Sequence, residues 1–376
     1  MPEEQKIPIL SFFAGGGFMD MGFIKAGFDI AWTNEFDPTF AELYKQGITS
    51  WQKSRNAWTD DVAHEISNTK SLKEIPSQQI LNEAFKLETP KIFGMAGGPP
   101  CQDFSINGNL DGFKGEKGSL TDTFLCKILD LQPAFFIMEN VTGLLRVKEN
   151  AKHFLFLLDI LKEIYMIDFS VLNSLDFGVP QSRERVFVIG INKNIYNLSG
   201  VTVDLNGQWF PFPQGSQHSQ HIDAHPWPVA ADFGAGAQRP DAIPLNLCVE
   251  SCLVPQAQEK TVANGNEYFN LYITEERLRD IKEGETNRPS FKRLHRYKYS
   301  PTTCYGNNEV HLHPYLHRRL SVREALRIQS VEDSYVLSQK LPLSKKFKMI
   351  GNGVPVLLAE AVGNALNQFL KTLPVI

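Results

Sequence analysis

Cysteine is scarce in this chain, with five in 376 residues: Cys101, Cys126, Cys248, Cys252 and Cys304. The number is odd and no Cys-x-x-Cys pair occurs, which excludes a disulfide framework and fits a reducing compartment. Long apolar runs are missing too. No uninterrupted stretch approaches the roughly 18 to 20 residues of a membrane helix, and Met1-Pro2-Glu3-Glu4-Gln5-Lys6 is the wrong chemistry for a signal peptide. The expectation is a cytoplasmic protein with no membrane partner. There is no repeat at a solenoid period and no low-complexity tract. Nor does one sign of charge dominate: 38 Lys and Arg against 42 Asp and Glu leave a net charge of -4. A polyanionic partner would therefore require positive charge concentrated locally.

What is present is an ordinary globular composition, 42% apolar and 21% charged, at a length that suits two domains. Residues 7–13, 29–33, 91–96, 134–138, 168–173 and 186–191 read as strands, with helical patterns at 19–26, 38–46, 120–131 and 153–165. This alternation predicts an α/β fold with a doubly wound, mostly parallel sheet. After residue 192 turn-formers, Gln and His become frequent, and 210–215 and 232–240 show no periodicity, which predicts a second, smaller and irregular domain. Helical patterns resume at 321–329 and 355–370. The last of these is expected to return to the first domain, dividing the chain into 1–192 plus 346–376 and 193–345.

Phe13-Ala14-Gly15-Gly16-Gly17 ends the first strand and opens the first helix, where glycines allow a tight turn and close approach of a ligand. After the second strand, Glu35 suits ribose hydroxyls, Phe36 offers a face for adenine, and Asp61 could accept from an adenine amino group. A tight turn with no nucleoside is the alternative. Phe18 stands where a dinucleotide fingerprint has a further glycine, so adenosine is favoured over NAD.

Gly97-Gly98-Pro99-Pro100-Cys101-Gln102 follows a strand and places Cys101 at the carboxyl edge of the sheet. A thiolate there needs a nearby cation, and Arg183 and Arg185 are candidates. Glu139 ends the next strand of the run, where an enclosed site would draw it toward neutrality and let it donate to a ring nitrogen. Each residue alone also has an ordinary reading: a packed cysteine, a helix cap, a solvated arginine pair.

In this order the motifs resemble those of the cytosine-carbon-5 DNA methyltransferases of bacterial restriction-modification type, over most of the chain. Phe13–Gly17 is similar to the cofactor loop, Gly98-Pro99-Pro100-Cys101-Gln102 to the nucleophile motif, Glu139-Asn140-Val141 and Gln181-x-Arg183-x-Arg185 to two further motifs. His313-Pro314 with Arg318-x-Leu320-Ser321-Val322-Arg323-Glu324-Ala325 and Gln329 resembles the segment that organises recognition. Ile350-Gly351-Asn352-Gly353-Val354-Pro355 resembles the closing cofactor motif. Phe18 departs from a usual glycine, Met349 from a usual Gln, and Lys117 from a usual Arg in the mobile loop, exchanging a bidentate fork for a point charge.

The resemblance implies S-adenosyl-L-methionine as methyl donor, with S-adenosyl-L-homocysteine as product, held by Phe13, Gly15, Gly17, Glu35, Phe36, Asp61, Pro100, Asn352 and Gly353. It implies that Cys101 adds to carbon 6 of a flipped cytosine, that Glu139 serves ring nitrogen 3, that Arg185 holds the carbonyl at position 2, and that Arg183 orients this group. Residues 107–119 would close over the base, with Gln102, Ser105 and Lys117 near the DNA. The partner implied is duplex DNA, the chain acting as a monomer beside a separate restriction endonuclease.

Residues 277–298 hold eight Lys and Arg against three acidic residues, and Arg288, Lys292, Arg293, Arg296 and Lys298 are candidate DNA contacts. His218, His221 and His225, like His311, His313 and His317, lack cysteines at zinc spacing, so no metal is expected. A zinc deaminase is excluded because Phe104 occupies the position of its second cysteine. A transfer-RNA cytosine methyltransferase shares the chemistry, and a silent DNA-binding regulator would not need Cys101, Glu139 and Arg185.

Overall fold

The computed structural model describes residues 6–55, 64–100, 119–199, 208–214, 222–223, 225–271, 274–303, 305 and 311–373. Six strands, β1 (Pro8–Phe12), β2 (Asp29–Asn34), β3 (Gly94–Gly97), β4 (Phe135–Val141), β5 (Tyr165–Asn173) and β6 (Glu184–Asn192), form one sheet in the order β2-β1-β3-β4-β6-β5. β1 runs parallel to β2 and β3, and β3 to β4, while β6 is antiparallel to both neighbours. The sheet is therefore mostly parallel, as the alternation predicts, with one inverted strand. Its central strands are apolar on both faces because helices cover both.

On one face Met19 and Phe23 of the helix Phe18–Lys25, with Ala26 at its C-terminal cap, pack with Leu358, Val362 and Leu366 of the helix Val356–Leu370. The final helix thus closes the chain back onto the first. On the other face the helices Leu120–Leu131 and Lys148–Leu161 bury Phe124, Leu125, Phe154 and Leu157. Ser119 and Asp122 form a capping box that fixes the start of the first of these.

The differences from expectation have local causes. The second of these helices ends at Leu161, because Tyr165 and Met166 pair with Asn192 and Ile191 as the start of β5. The helices Ser77–Ala84 and Leu343–Asn352, which the sequence patterns do not indicate, start directly after Pro76 and Pro342.

The second half is irregular, as expected: β7 (Lys292–Arg293) and β8 (His311–Leu312) are two residues each, and short 3-10 turns occur at Leu245–Leu247, Val249–Cys252 and Gln256–Gln258. The helix Val322–Ile328, begun by a Ser321–Glu324 capping box, packs Val322, Ala325 and Leu326 with Phe18, Met21, Leu43 and Ile48 of the sheet domain. Among the described residues one helical stretch, Leu343–Leu370, has the length and mean hydropathy (1.2) of a membrane span, but it is two helices broken around Gly353-Val354-Pro355 and is largely buried in the fold.

Candidate active site

Strand order reverses between β1 and β3, since the chain leaves β1 for β2 on one side and later returns to β3 on the other. A crevice opens at the carboxyl ends of strands where this happens. Here it is a cavity of about 1340 Å³, lined by Phe13, Gly15, Glu35 and Phe36 on one side and by Gly98, Pro100, Glu139, Arg183 and Arg185 on the other, with Asn352 and Gly353 also at its wall.

On the first side, the Glu35 carboxylate accepts from the backbone N–H of Gly15 at 2.9 Å and of Asp37 at 2.8 Å, which fixes its orientation. Burial pushes this carboxyl above its ordinary value, opposed by those same hydrogen bonds. The Phe36 ring beside it is 67% exposed, an open aromatic face. An oriented acceptor for hydroxyls beside an uncovered ring fits an adenosyl group.

Gly17 does not line the cleft. It has φ +77°, and a Cβ there would fall 2.7 Å from atoms of Tyr44 and Ile48, so it is needed for packing the loop on the helix Pro38–Ser54. Phe18 and Met349 interlock around the loop: the Phe18 ring occupies the space a Gly353 side chain would need, and the Met349 sulfur lies 2.6 Å from where a Cβ on Gly16 would be. Asp61 lies outside the described residues. Below the loop, Asp20 accepts from Ser11 Oγ at 2.6 Å and Tyr44 Oη at 3.0 Å, and burial raises its pKa to about 6.

On the other side, Arg185 lies opposite Val141 across the β4–β6 ladder, one diagonal from Glu139 on the same face. Its Nε is 2.9 Å from Glu139 Oε1, and the two side chains are about one-tenth exposed (11% and 10%). Burial raises the Glu139 pKa, against the opposing pull of Arg185 and Arg183. Asn140 donates to the Pro99 carbonyl at 3.1 Å, tying the end of β4 to the segment after β3. Cys101, Gln102, Ser105 and Lys117 lie outside the described residues.

Arg183 is fully buried and donates to the carbonyls of Thr303 at 3.1 Å and Gly351 at 2.8 Å. It thereby joins the start of β6 to the irregular second half at Thr303 and to the final helices at Gly351. Gln181 extends the joint, accepting from Thr303 N and donating to Gln329, which donates to the Ile350 carbonyl at 2.6 Å. Sequence reasoning quoted Gln181 and Gln329 within motifs but gave neither a role. It gave no signal for Phe269, Tyr305, Arg319 and Lys345, which also line the cleft.

The basic segment changes most. Arg293 is 0% exposed and donates to the carbonyls of Ile281, His313, Leu316 and Leu278, so it braces irregular backbone and is not a DNA contact. Arg296 is held by Glu283 through Nε at 2.8 Å and Nη2 at 2.7 Å. Arg288 pairs with Glu285 at 2.6 Å, Lys292 is half-buried, and Lys298 lies 5.6 Å from the Tyr299 ring centre. Burial lowers the pKa of His311 and His313 to about 3, so both are neutral, and no metal-type cluster occurs among the described residues.

Fold and site define an α/β protein whose crevice joins an oriented carboxylate and an open aromatic ring to a buried carboxyl–guanidinium pair. The family model of the C-5 cytosine-specific DNA methylases matches residues 7–368. The chain is 35% identical over 373 residues to the Type II methyltransferase M.NmeDI of Neisseria meningitidis serogroup C, covering 98% of this chain and 85% of that protein. It is 30% identical to the Type II methyltransferase M.FnuDI of Fusobacterium nucleatum, covering 96% and 94%. A solved structure titled as a putative DNA modification methyltransferase encoded within an E. coli prophage superposes with TM-score 0.64 at 22% identity, covering 97% of this chain and all of that one. The chain belongs to the C-5 cytosine-specific DNA methylases and is a DNA cytosine-5 methyltransferase, a membership that implies S-adenosyl-L-methionine as methyl donor.

Proposed function

We propose that this enzyme modifies cytosine within a specific duplex sequence, through a covalent bond from Cys101, as the modification half of a restriction-modification pair in the cytoplasm. The observation that carries the reading is the buried Glu139–Arg185 pair in the wall of the cleft, beside the segment that leads into Cys101. The residues 1–192 and 346–376 would carry cofactor and chemistry and 193–345 would read DNA, with the helix Val322–Ile328 as the joint. The chain would act as a monomer.

Glu35 and Phe36 would hold the ribose and adenine of S-adenosyl-L-methionine, with Phe13, Gly15, Pro100, Asn352 and Gly353 around it. When bound, that group supplies an electrophilic methyl. The Cys101 thiolate forms a bond to carbon 6 of the flipped cytosine, making carbon 5 nucleophilic. Glu139, its carboxyl biased toward the protonated form, donates to ring nitrogen 3, and Arg185 stabilises charge growing on the carbonyl at position 2. After methylation, loss of the carbon-5 proton to water expels the thiolate, and return of the nitrogen-3 proton to Glu139 restores the ring.

The test is methyl transfer from labelled S-adenosyl-L-methionine to phage duplex DNA and to transfer RNA, with wild type and Cys101→Ala side by side. The expected result is 5-methylcytosine in duplex DNA with wild type alone. Label in RNA only, or undiminished transfer by Cys101→Ala, overturns it.

A further inference from the structure

Arg318 and Arg319 are neighbours with opposite surroundings. They lie on an extended segment bridged to β8 through Leu312 and Arg319, so successive side chains project to opposite faces. Arg318 points inward and is fully engaged: its Nε is 2.8 Å from Glu259, and Nη1 and Nη2 reach Glu324 at 2.7 and 2.8 Å. Arg319 points into the cleft, where its guanidinium lies 4.7 Å from the Phe269 ring centre. Among the described residues, no carboxylate or carbonyl accepts from it.

The other cleft arginines and Lys345 are committed. Arg185 is held by Glu139 and the Glu184 carbonyl, Arg183 by the carbonyls of Thr303 and Gly351, and Lys345 by Asp37. Lys348 and Lys73 are exposed residues of the lining. Arg319 is thus a half-buried, permanently charged fork, stacked on an aromatic ring that limits its rotation, and it faces a cavity large enough for a nucleotide. Tyr305 lines the same cleft two residues after Thr303, which donates to Gln181 and accepts from Arg183.

We propose that Arg319 grips a phosphodiester of the DNA strand held in the cleft. The inference rests on the reading of duplex DNA as substrate. A guanidinium matches two oxygens of a phosphodiester in one plane, and its desolvation is already complete in part before DNA arrives. The carboxylate of the methyl donor is the other anion with the same chemistry. Arg319 belongs to the recognition segment, away in sequence from the Glu35–Phe36 subsite, which favours the phosphodiester.

The experiment uses the full chain with Arg319→Gln and Arg319→Lys, and reads duplex binding by fluorescence anisotropy between about 50 and 200 mM salt, together with donor binding by calorimetry. Arg319→Gln is expected to weaken duplex binding about tenfold at low salt and to reduce the slope of log K against log salt by about one. Arg319→Lys should keep the slope and lose about threefold, because a point charge replaces the fork. Donor affinity and melting temperature should not move. Weaker donor binding with unchanged DNA binding assigns Arg319 to the donor carboxylate and overturns the proposal, as does wild-type DNA binding by both variants. Should Arg319→Gln unfold, unchanged DNA affinity in Arg319→Lys overturns it alone. Binding is read without turnover, so a failure of methylation by wild type counts against the proposed function and not against this contact.

Discussion

The two halves of the chain bury arginine for different ends. In the sheet half, two large apolar clusters fill both faces, and the buried Arg183 and Arg185 stand at the cleft. In the second half the clusters built from its own residues are small, one on Val249, Leu253, Leu294 and Ile328 and the other on Leu278, Ile281 and Leu312, while a larger one is shared with the sheet half. There Arg293, Arg318 and Arg323 take over part of the work of a core. Irregular backbone leaves carbonyls without partners, and a guanidinium with five donors can satisfy several at once. Arg323 does so for Ala263, Glu332 and Tyr335. The lesson is that a local surplus of basic residues measures free charge only after the struts have been subtracted.

The strongest way to break this contrast is at Glu139. Glu139→Gln keeps the shape and removes the proton donor, so kcat is expected to fall on the order of 10³-fold with DNA affinity nearly intact. A steady-state assay beside anisotropy binding reads both, and a fall under tenfold would remove Glu139 from the chemistry. On the recognition side, Arg293→Met should leave carbonyls of Ile281, His313, Leu316 and Leu278 without donors and cost about 4 kcal/mol of stability. Urea unfolding measures this. An unchanged midpoint with a reduced salt slope of DNA binding would return Arg293 to the interface.

Asp20 sharpens the comparison through pH. Its carboxyl is raised from 3.8 to about 6 in the folded protein, chiefly by burial. The folded state therefore binds the proton more tightly than the unfolded one. Stability contributed by the protonated group is present below about pH 4 and is lost as pH rises through about 6, by up to roughly 3 kcal/mol. Asp20→Asn retains partners for Ser11 and Tyr44 and should flatten that slope. Chemical unfolding of both proteins across pH 4 to 7 checks it, and parallel curves would refute the assignment.

The sheet half was legible because its periodicity and its motifs point the same way: glycines after β1, a carboxylate after β2, Glu139 near the end of β4 and Arg185 near the start of β6. Proximity of Glu139 to Arg185 follows from β6 being antiparallel to β4, an inversion that the sequence does not announce. The recognition half was legible only in its irregularity. Whether Arg293 or Lys298 faces water depends on which neighbours fold over it, and a two-residue strand such as β7 leaves no pattern to read. Phe18 and Met349 look like separate departures from a motif, yet each packs on a glycine of the other's segment, Met349 on Gly16 and Phe18 on Gly353, so their meaning is spatial.

Tyr335 gives the finest test, because it crosses between the halves. Its carbonyl accepts from Arg323, its ring lies 5.5 Å from that of Phe18, and its hydroxyl donates to the Gly16 carbonyl at 2.8 Å. Arg323 in turn belongs to the helix that joins recognition segment and sheet domain. Tyr335→Phe keeps the ring and removes one buried donor, which should cost about 1 kcal/mol of stability. If the hydroxyl holds the glycine loop in shape, KM for S-adenosyl-L-methionine should rise several-fold while KM for DNA and kcat stay near wild type. A residue that only filled space would lower the unfolding midpoint and leave all three kinetic constants alone. The split between the two KM values therefore decides whether the second half merely rests on the glycine loop or sets its geometry.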